Sequence, residues 1–240
     1  MSVLPSKTTR STSRPADAAA GRAGPPPLEQ GDRLSRAEFE RRYEGRPEIK
    51  KAELVEGRVY LSSPVRYPDH GRPHADVVTW LGVYRAATPG VDGADNATVL
   101  LDDENEYQPD SFLRLEPAHG GRSRLTSDHY IEGPPELVVE IAASSASYDL
   151  HEKLRAYQRS GVQEYLVAQM YEERVDWFVL REGVYQPLAP DEQGVFQSEE
   201  FPGLWLQPSA LWTADITALL AVLQEGIASP EHAGFVERLS

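Results

Sequence analysis

The chain of 240 residues contains no cysteine. It therefore has no disulfide framework, no thiolate nucleophile and no cysteine-ligated zinc, which fits a reducing compartment. Basic residues are also scarce, because 24 Lys and Arg stand against 38 Asp and Glu, for a formal net charge of −14. Nonspecific affinity for nucleic acid comes mainly from Lys and Arg that neutralise phosphates, so this balance argues against binding of polyanions by bulk attraction. Any nucleic-acid site must be local or assisted by a metal.

Long apolar runs are missing as well. No stretch approaches 18 consecutive apolar residues, and the first residues lack the apolar core of a signal peptide. We therefore expect a cytoplasmic protein that does not enter membranes. The sequence also lacks a Gly-x-Ser-x-Gly elbow and a glycine-rich phosphate loop, which argues against a serine hydrolase and against nucleotide-driven chemistry. We predict no site for an organic cofactor.

The composition of the chain divides it into three parts. Residues 1–31 are rich in Ser, Arg, Ala, Gly and Pro and hold almost no large apolar residue, which predicts a disordered tail. Residues 32–212 carry the apolar periodicities of one folded domain, and a hydrophobic content of 40% is enough for a core. In residues 213–240, Ile216, Leu219 and Leu223 fall on one helical face, which predicts a C-terminal helical extension.

Local patterns predict the elements of the domain. Ser35 followed by Glu38 matches a capping box at a helix start, and Glu56-Gly57 separates two short strands of a hairpin. Pro73 opens an amphipathic helix. The acidic segment 102–106 is expected to be a solvent-exposed loop.

The central unit reads as strand, helix, strand. Residues 137–142 are apolar except at Glu140, residues 149–160 form a helix closed by Gly161, and residues 164–168 form a second buried strand. A crossover of this length favours parallel pairing. A hairpin over 174–188 should add to the edge, so the fold class is α/β with a mixed central sheet flanked by helices.

Glu140 is the most informative residue of this unit. A carboxylate buried without a partner costs several kcal/mol, so it usually coordinates a metal, pairs with a cation or takes up a proton. Asp110 stands before another apolar run, and Lys153 occupies an inward-facing slot with Leu154 and Tyr157. Two acids and a lysine favour metal-assisted hydrolysis. The alternative is that Lys153 only neutralises Glu140.

The same residues resemble the Uma-two family of restriction-endonuclease-like proteins, a branch of the PD-(D/E)xK nuclease superfamily. The match runs from roughly Leu34 to Trp212. It rests on the order of the following motifs: Ala52-Glu53-Leu54-Val55-Glu56-Gly57-Arg58-Val59-Tyr60, His70, Gln108-Pro109-Asp110, Pro135-Glu136-Leu137-Val138-Val139-Glu140-Ile141, Asp149, Lys153, Tyr157, Gly161-Val162-Gln163-Glu164-Tyr165 and Phe201-Pro202-Gly203-Leu204. The resemblance implies a restriction-endonuclease-like sheet and Mg²⁺-dependent (or Mn²⁺-dependent) cleavage of DNA phosphodiester bonds.

The resemblance also implies roles for individual residues. Asp110, Glu140 and the backbone carbonyl of Ile141 would hold the cation, which activates a water for attack on the phosphate. Lys153 would assist from the helix, because the usual lysine position, two residues after the acid, is Ala142. Glu53 is a candidate supporting carboxylate that could equally be a surface acid. DNA is the expected partner, and a homodimer would bring two active sites to two strands, although the oligomeric state stays open.

Two further features weigh on this hypothesis. The segment 142–147 lacks the proline that usually follows the acid in the family, and Leu166 and Gln169 replace its common Trp and Asp. These departures keep open a catalytically inactive nuclease-fold module that binds nucleic acid or protein. His70 and His74 have the spacing of zinc ligands, but no further ligand follows nearby, so we interpret His70 as a residue of the active-site rim.

Overall fold

A computed structural model describes residues 25–62, 64–143 and 145–240. Most of the predicted tail, residues 1–24, lies outside the described residues. Within the remainder of that segment, Leu28 is 3% exposed and the Gly31 N–H donates to the Val59 carbonyl at 2.8 Å. The chain is therefore packed against the domain before residue 32, the boundary that composition predicts.

Seven helices and fourteen strands make up the described part of the chain. The helices are α1 (Arg36–Glu44), α2 (Arg72–Ala87), α3 (Ala146–Tyr148), α4 (Leu154–Ser160), α5 (Ser209–Trp212), α6 (Ile216–Ile227) and α7 (Pro230–Leu239). The strands are β1 (Ala52–Val55), β2 (Arg58–Leu61), β3 (Val91–Asp95), β4 (Val99–Asp102), β5 (Asn105–Tyr107), β6 (Ser111–Leu115), β7 (Arg124–Leu125), β8 (Ile131–Glu132), β9 (Leu137–Ala142), β10 (Glu164–Gln169), β11 (Arg174–Arg181), β12 (Val184–Pro187), β13 (Phe196–Gln197) and β14 (Trp205–Leu206). Tyr67–Gly71 and Asp149–Lys153 are π-helical, and Pro117–His119 is a 3-10 turn.

The strands form two six-stranded sheets and one small hairpin, and both large sheets are mixed. The first has the order β2-β1-β5-β4-β8-β7, and the second has the order β12-β11-β10-β9-β6-β3. Strands β9 and β10 pair in parallel, as the strand-helix-strand pattern predicts, and the β11–β12 hairpin lies at the edge. The predicted α/β class is thus confirmed, with two sheets where the sequence indicated one.

Helices cover both faces of the second sheet because β9 and β10 are apolar on both sides. On one face, Leu137, Val139 and Ile141 of β9 pack in a cluster with Val77, Trp80, Leu81 and Tyr84 of α2. On the other face, Val138 and Ala142 pack with Tyr157 of α4. Because side chains alternate between the two faces along a strand, the even-numbered residues of β9, including Glu140, face α4.

Two local predictions are confirmed at the start of the domain. Helix α1 begins after Ser35, whose hydroxyl accepts the Glu38 N–H. Glu56 and Gly57 join β1 to β2 with φ values of 50° and 69°, the left-handed conformations that a tight hairpin turn requires.

The prediction of an exposed acidic loop over 102–106 is wrong in its second half. Asn105 and Glu106 are only 2% and 5% exposed, because Asn105–Tyr107 forms β5 in the middle of the first sheet. This acidic segment therefore contains a strand, and neighbouring elements cover its side chains. Glu106 Oε2 has no hydrogen-bond partner among the described residues.

The C-terminal helices pack on α2. Leu219 and Leu223 of α6 are fully buried in the same cluster as Trp80, and Phe235 of α7 joins them. The division into a domain over 32–212 and an extension over 213–240 stays a prediction. Across the described ranges, the helices are all too short or too polar to cross a membrane.

The buried Glu106 predicts a pH-dependent loss of stability. Burial, together with repulsion by Glu40, raises the pKa of Glu106 from 4.5 to about 7. The folded state therefore keeps a proton that the unfolded chain releases, so the stability at this site is complete below pH 4.5 and is lost as the pH rises to about 7. The expected loss is on the order of 3 kcal/mol. Glu106→Gln removes the charge, so its melting temperature should fall less between about pH 5 and about pH 8.

The matched control for this measurement is Glu104→Gln, because Glu104 is exposed in the adjacent turn. Thermal unfolding of the three proteins should give parallel pH profiles for wild type and the control, and a flatter profile for Glu106→Gln. Three parallel profiles would show that Glu106 does not titrate in this range.

Candidate active site

Glu140 lies at the centre of the second sheet and faces α4. It is 3% exposed, and its Oε1 accepts hydrogen bonds from Lys153 Nζ at 2.8 Å and Tyr157 Oη at 3.2 Å. Both of these contacts fall on one oxygen. Among the described residues, Oε2 has no hydrogen bond, and Glu140 lines a cavity of about 560 Å³.

Strand pairing brings Asp110 to the same place. Strand β6 runs antiparallel to β9 with Ser111 opposite Val139, so the next step of the register sets Asp110 opposite Glu140. Asp110 is 5% exposed, and its Oδ2 accepts the Ile141 N–H at 2.9 Å. This bond fixes one oxygen of the carboxylate on the backbone of β9. Asp110 also lines the cavity.

Lys153 is buried among three carboxylates. Its ammonium lies 2.8 Å from Glu140 Oε1, 3.1 Å from Glu53 Oε2 and 3.7 Å from Asp149 Oδ1, and the residue is 3% exposed. The inward slot that the helical spacing predicts is thus occupied as expected. The ammonium also lies 5.2 Å from the centre of the Tyr148 ring. We call Lys153, Glu53, Glu140 and Asp149 the lysine cluster.

Glu53 brings the first sheet into contact with this site. It lies in β1, its Oε2 pairs with Lys153, and its Oε1 accepts the Gln108 N–H at 3.0 Å. Because Gln108 lies in the link from β5 to β6, Glu53 ties the two sheets together just before Asp110. Glu53 is 5% exposed, which rules out the alternative of a surface acid at the end of a strand.

Acidic side chains outnumber basic side chains at this site. Burial raises the pKa of Glu140 to about 8, because desolvation and repulsion by Asp110, Asp149 and Glu53 outweigh the attraction of Lys153. Burial also raises the pKa of Asp149. Burial opposes the ionisation of Asp110 too, but there Lys51, His70 and the Ile141 N–H together hold the pKa below its ordinary value. One more positive charge between the two acids would relieve the repulsion.

His70 lines the cavity beside Asp110. Its Nδ1–H donates to the Ile141 carbonyl at 2.9 Å, and its Nε2 lies 3.6 Å from Asp110 Oδ1. The His74 Nε2–H donates to the Asp110 carbonyl at 2.8 Å. Each histidine therefore uses one ring nitrogen on a backbone oxygen. These bonds fix the orientation of both rings beside the acid pair.

The sequence analysis missed Lys51. Its ammonium lies 3.4 Å from Asp110 Oδ1 and 2.9 Å from Asn96 Oδ1, and its side chain lines the cavity. A signal was present in the sequence, because Lys51 stands two residues before Glu53 at the start of a strand, where alternate residues share a face. Asp149 was likewise missed as a site residue, although it precedes Lys153 by one helical turn.

The residues that depart from the family pattern have local structural uses. Leu166 is buried in the cluster around α2, where an apolar residue suffices. Gln169 is 3% exposed and donates to Asp176 on the neighbouring strand. Ala142 occupies the position of the usual lysine and packs against α4. Lys153 supplies an ammonium to Glu140 from the helical crossover instead.

The donor set fits a hard divalent cation that keeps much of its water. Among the described residues, no group of three or more His, Asp or Glu side chains has the geometry of a preformed metal site. Mg²⁺ needs fewer, because one or two carboxylates with several waters are its usual protein ligands. Asp110 Oδ1, with only long contacts to Lys51 and His70, and Glu140 Oε2 supply two such oxygens beside the cavity.

Comparison with known proteins identifies the family of the chain. A family model named Uma2 and described as "Putative restriction endonuclease" matches residues 36–209, well over half of the chain. The fold is similar to that of a solved structure described as "a putative nuclease belonging to DUF820 from Anabaena variabilis", with a TM-score of 0.53 and 13% sequence identity over 68% of this chain and 89% of that chain. No curated protein matches the chain. The chain therefore belongs to the Uma2 family.

Proposed function

We propose that this protein is a metal-dependent endonuclease that hydrolyses phosphodiester bonds of DNA. The observation that supports this most is the position of Asp110 directly before β6, bonded to the Ile141 N–H next to Glu140, beside a buried ammonium and an open cavity. The antiparallel register of β6 and β9 explains why the two acids lie side by side. Buried acids that repel each other are typical of sites that work on a cation.

Asp110, Glu140 and the Ile141 carbonyl are the proposed ligands of Mg²⁺ or Mn²⁺. Carboxylate and carbonyl oxygens are the donors that these cations prefer. The bound cation would supply Lewis acidity at the phosphate and activate the attacking water. The Ile141 N–H holds Asp110 in place for this task through its 2.9 Å bond to Oδ2.

Lys153 has two proposed tasks. It neutralises part of the charge of Glu53, Glu140 and Asp149, and it keeps Glu140 oriented by holding Oε1 at 2.8 Å. Because the ammonium shares the cavity with the acid pair, it can also stabilise the charge that develops on the phosphoryl oxygens. Lys51, at 3.4 Å from Asp110, offers a second cation on the opposite side of that acid.

The competing function is a catalytically inactive module with the same fold. A catalytically inactive protein would not need the acid pair. Here Asp110 and Glu140 are both present, and each is held by a hydrogen bond. These bonds favour the enzyme. The homodimer and the cytoplasmic location stay predictions.

Cleavage of DNA provides the first test. Asp110→Asn and Glu140→Gln preserve size and keep one acceptor oxygen but remove the charge, so each should lower the rate of plasmid nicking in Mg²⁺ or Mn²⁺ by at least about 100-fold. Asp103→Asn is the matched control, because Asp103 is exposed in the β4–β5 turn. Agarose gels with supercoiled plasmid measure the rate. Nicking that survives in both variants would remove the acid pair from the mechanism, and a wild type that never nicks would favour the inactive module.

Metal binding can be measured without any cleavage. Mg²⁺, Mn²⁺ or Ca²⁺ should raise the melting temperature of the wild type, because a ligand that binds only the folded state stabilises it by an amount that grows with the ratio of free ligand to Kd. Asp110→Asn and Glu140→Gln should abolish the increase, while Asp103→Asn should retain it. An identical increase in all four proteins would place the cation somewhere else.

The lysine cluster predicts a strong effect on stability. Lys153→Met leaves Glu53, Glu140 and Asp149 buried without a counter-ion, and loss of one partner of a buried ion pair costs about 3–5 kcal/mol. The melting temperature should fall by about 10 °C at neutral pH and recover in part in acid, where the carboxyls take up protons. Lys50→Met is the control, because Lys50 is exposed nearby. Equal melting temperatures for Lys153→Met and wild type would contradict the proposed role.

A further inference from the structure

Exposed apolar side chains concentrate at the mouth of the active-site cavity. Among the described residues, six large ones are exposed: Val65, Tyr67, Leu125, Tyr130, Tyr171 and Val184. Val65 and Tyr171 line the cavity that holds Asp110 and Glu140, and they are 66% and 56% exposed. Tyr67, two residues after Val65, is 73% exposed. Single exposed apolar residues are common, but two that line one cavity, with a third in the π-helical segment that also carries the lining residues Asp69 and His70, mark a candidate binding surface.

Two separate elements carry these residues to the same place. Tyr67 begins the π-helical segment Tyr67–Gly71, whereas Tyr171 lies in the turn between β10 and β11. The Tyr171 hydroxyl donates to Asp69 Oδ2 at 3.2 Å, which joins the turn to the π-helical segment. We call Val65, Tyr67 and Tyr171 the tyrosine platform. Its residues lie outside the three apolar clusters of the fold, so packing of the core does not account for them.

The charges around the platform are mixed. Arg66 and Lys51 line the cavity, but so does Asp69, and Glu172 and Glu173 follow Tyr171 directly in an exposed turn. A DNA duplex presents two phosphate backbones and depends on many Lys and Arg contacts, which this mouth and a chain of net charge −14 do not supply. An unpaired strand presents a single backbone and can turn its bases toward aromatic rings. Stacking of bases on such rings adds affinity beyond the contacts with the backbone.

We infer that the tyrosine platform binds unpaired bases next to the acid pair, so that the preferred substrate is single-stranded or locally unpaired DNA. This inference rests on the proposed nuclease function and narrows its substrate. Arg66 and Lys51 contact the backbone of the strand, while Tyr67 and Tyr171 stack on its bases. The acidic residues of the mouth then act against the second strand of a duplex.

Binding of labelled oligonucleotides tests this inference. Fluorescence anisotropy in Ca²⁺ compares a deoxythymidine oligonucleotide with a mixed-sequence duplex. We expect the single strand to bind the wild type at least about 10-fold more tightly. Tyr67→Ala and Tyr171→Ala should each weaken its binding about 5- to 100-fold, the loss typical of one stacked base.

Matched variants separate stacking from other effects. Tyr67→Phe and Tyr171→Phe keep the rings and should bind the single strand as the wild type does, although Tyr171→Phe loses its bond to Asp69. Tyr130→Ala removes an exposed tyrosine of the segment between β7 and β8, which carries no residue of the cavity, and should change nothing. Circular dichroism spectra that match the wild type confirm that the alanine variants are folded.

The outcomes distinguish the platform from the nuclease. Equal or tighter binding of the duplex, wild-type affinity in both alanine variants, or no binding of either DNA would overturn the platform. Cleavage of a single-stranded oligonucleotide by those variants at the wild-type rate would overturn it as well and leave the nuclease intact. Tight single-strand binding that depends on both tyrosines, without cleavage in Mg²⁺ or Mn²⁺, would support the platform and contradict the nuclease.

Discussion

The ammonium of Lys153 compensates the charge of the carboxylates that are buried at the centre of the molecule. The packing of that region depends on this compensation. Glu53, Glu140 and Asp149 are each at most 5% exposed, and Lys153 lies within 3.7 Å of an oxygen of each. Without a cation, three carboxylates could not be buried between two sheets and a helix, because the desolvation of each ion costs several kcal/mol. The cluster also joins elements that are distant in the chain. Glu53 comes from the first sheet, Glu140 from the second and Lys153 from the helical crossover.

The position of the acid pair follows from the pairing of β6 with β9. The antiparallel register sets Asp110 and Glu140 side by side, and the Ile141 N–H holds Asp110 against the strand. Lys153 contacts Glu140 on one side, and Lys51 contacts Asp110 on the other. The cavity is lined by five carboxylates and by three cationic side chains, Lys51, Arg66 and Lys153. Burial and the repulsion by the neighbouring carboxylates together raise the pKa of Glu140 to about 8, and the excess of acids suits the site to a cation.

The acidic character of the chain constrains the proposed recognition of DNA. A net charge of −14 works against association with a polyanion at long range. Under that proposal, affinity has to arise from short-range contacts at the cavity, through a bound cation, through Lys51 and Arg66, and through aromatic rings at the mouth. Stacking would add affinity through the faces of the bases, beside the contacts with the phosphate backbone. The acidic composition of the chain is therefore compatible with its family and with the aromatic side chains at the cavity mouth.

The sequence by itself determined the parts that depend on local periodicity and on the cost of burying a charge. The apolar run around Glu140, the inward slot of Lys153 and the left-handed turn at Gly57 are properties of neighbouring residues, so the strand, the helix and the hairpin were predictable. The capping residue Ser35 was predictable for the same reason.

Only the tertiary structure decided which distant residues meet. Strand β5 was taken for a solvent-exposed loop because Asn105 and Glu106 are polar, and only the neighbouring strands of the first sheet bury them. Lys51 and Asp149 reach the site through strand register and helix docking. Neither of these can be read from a single residue of the sequence. The mouth with Tyr67 and Tyr171 likewise depends on two turns more than a hundred residues apart, because sequence periodicity reports which side of an element is buried but not which elements become neighbours.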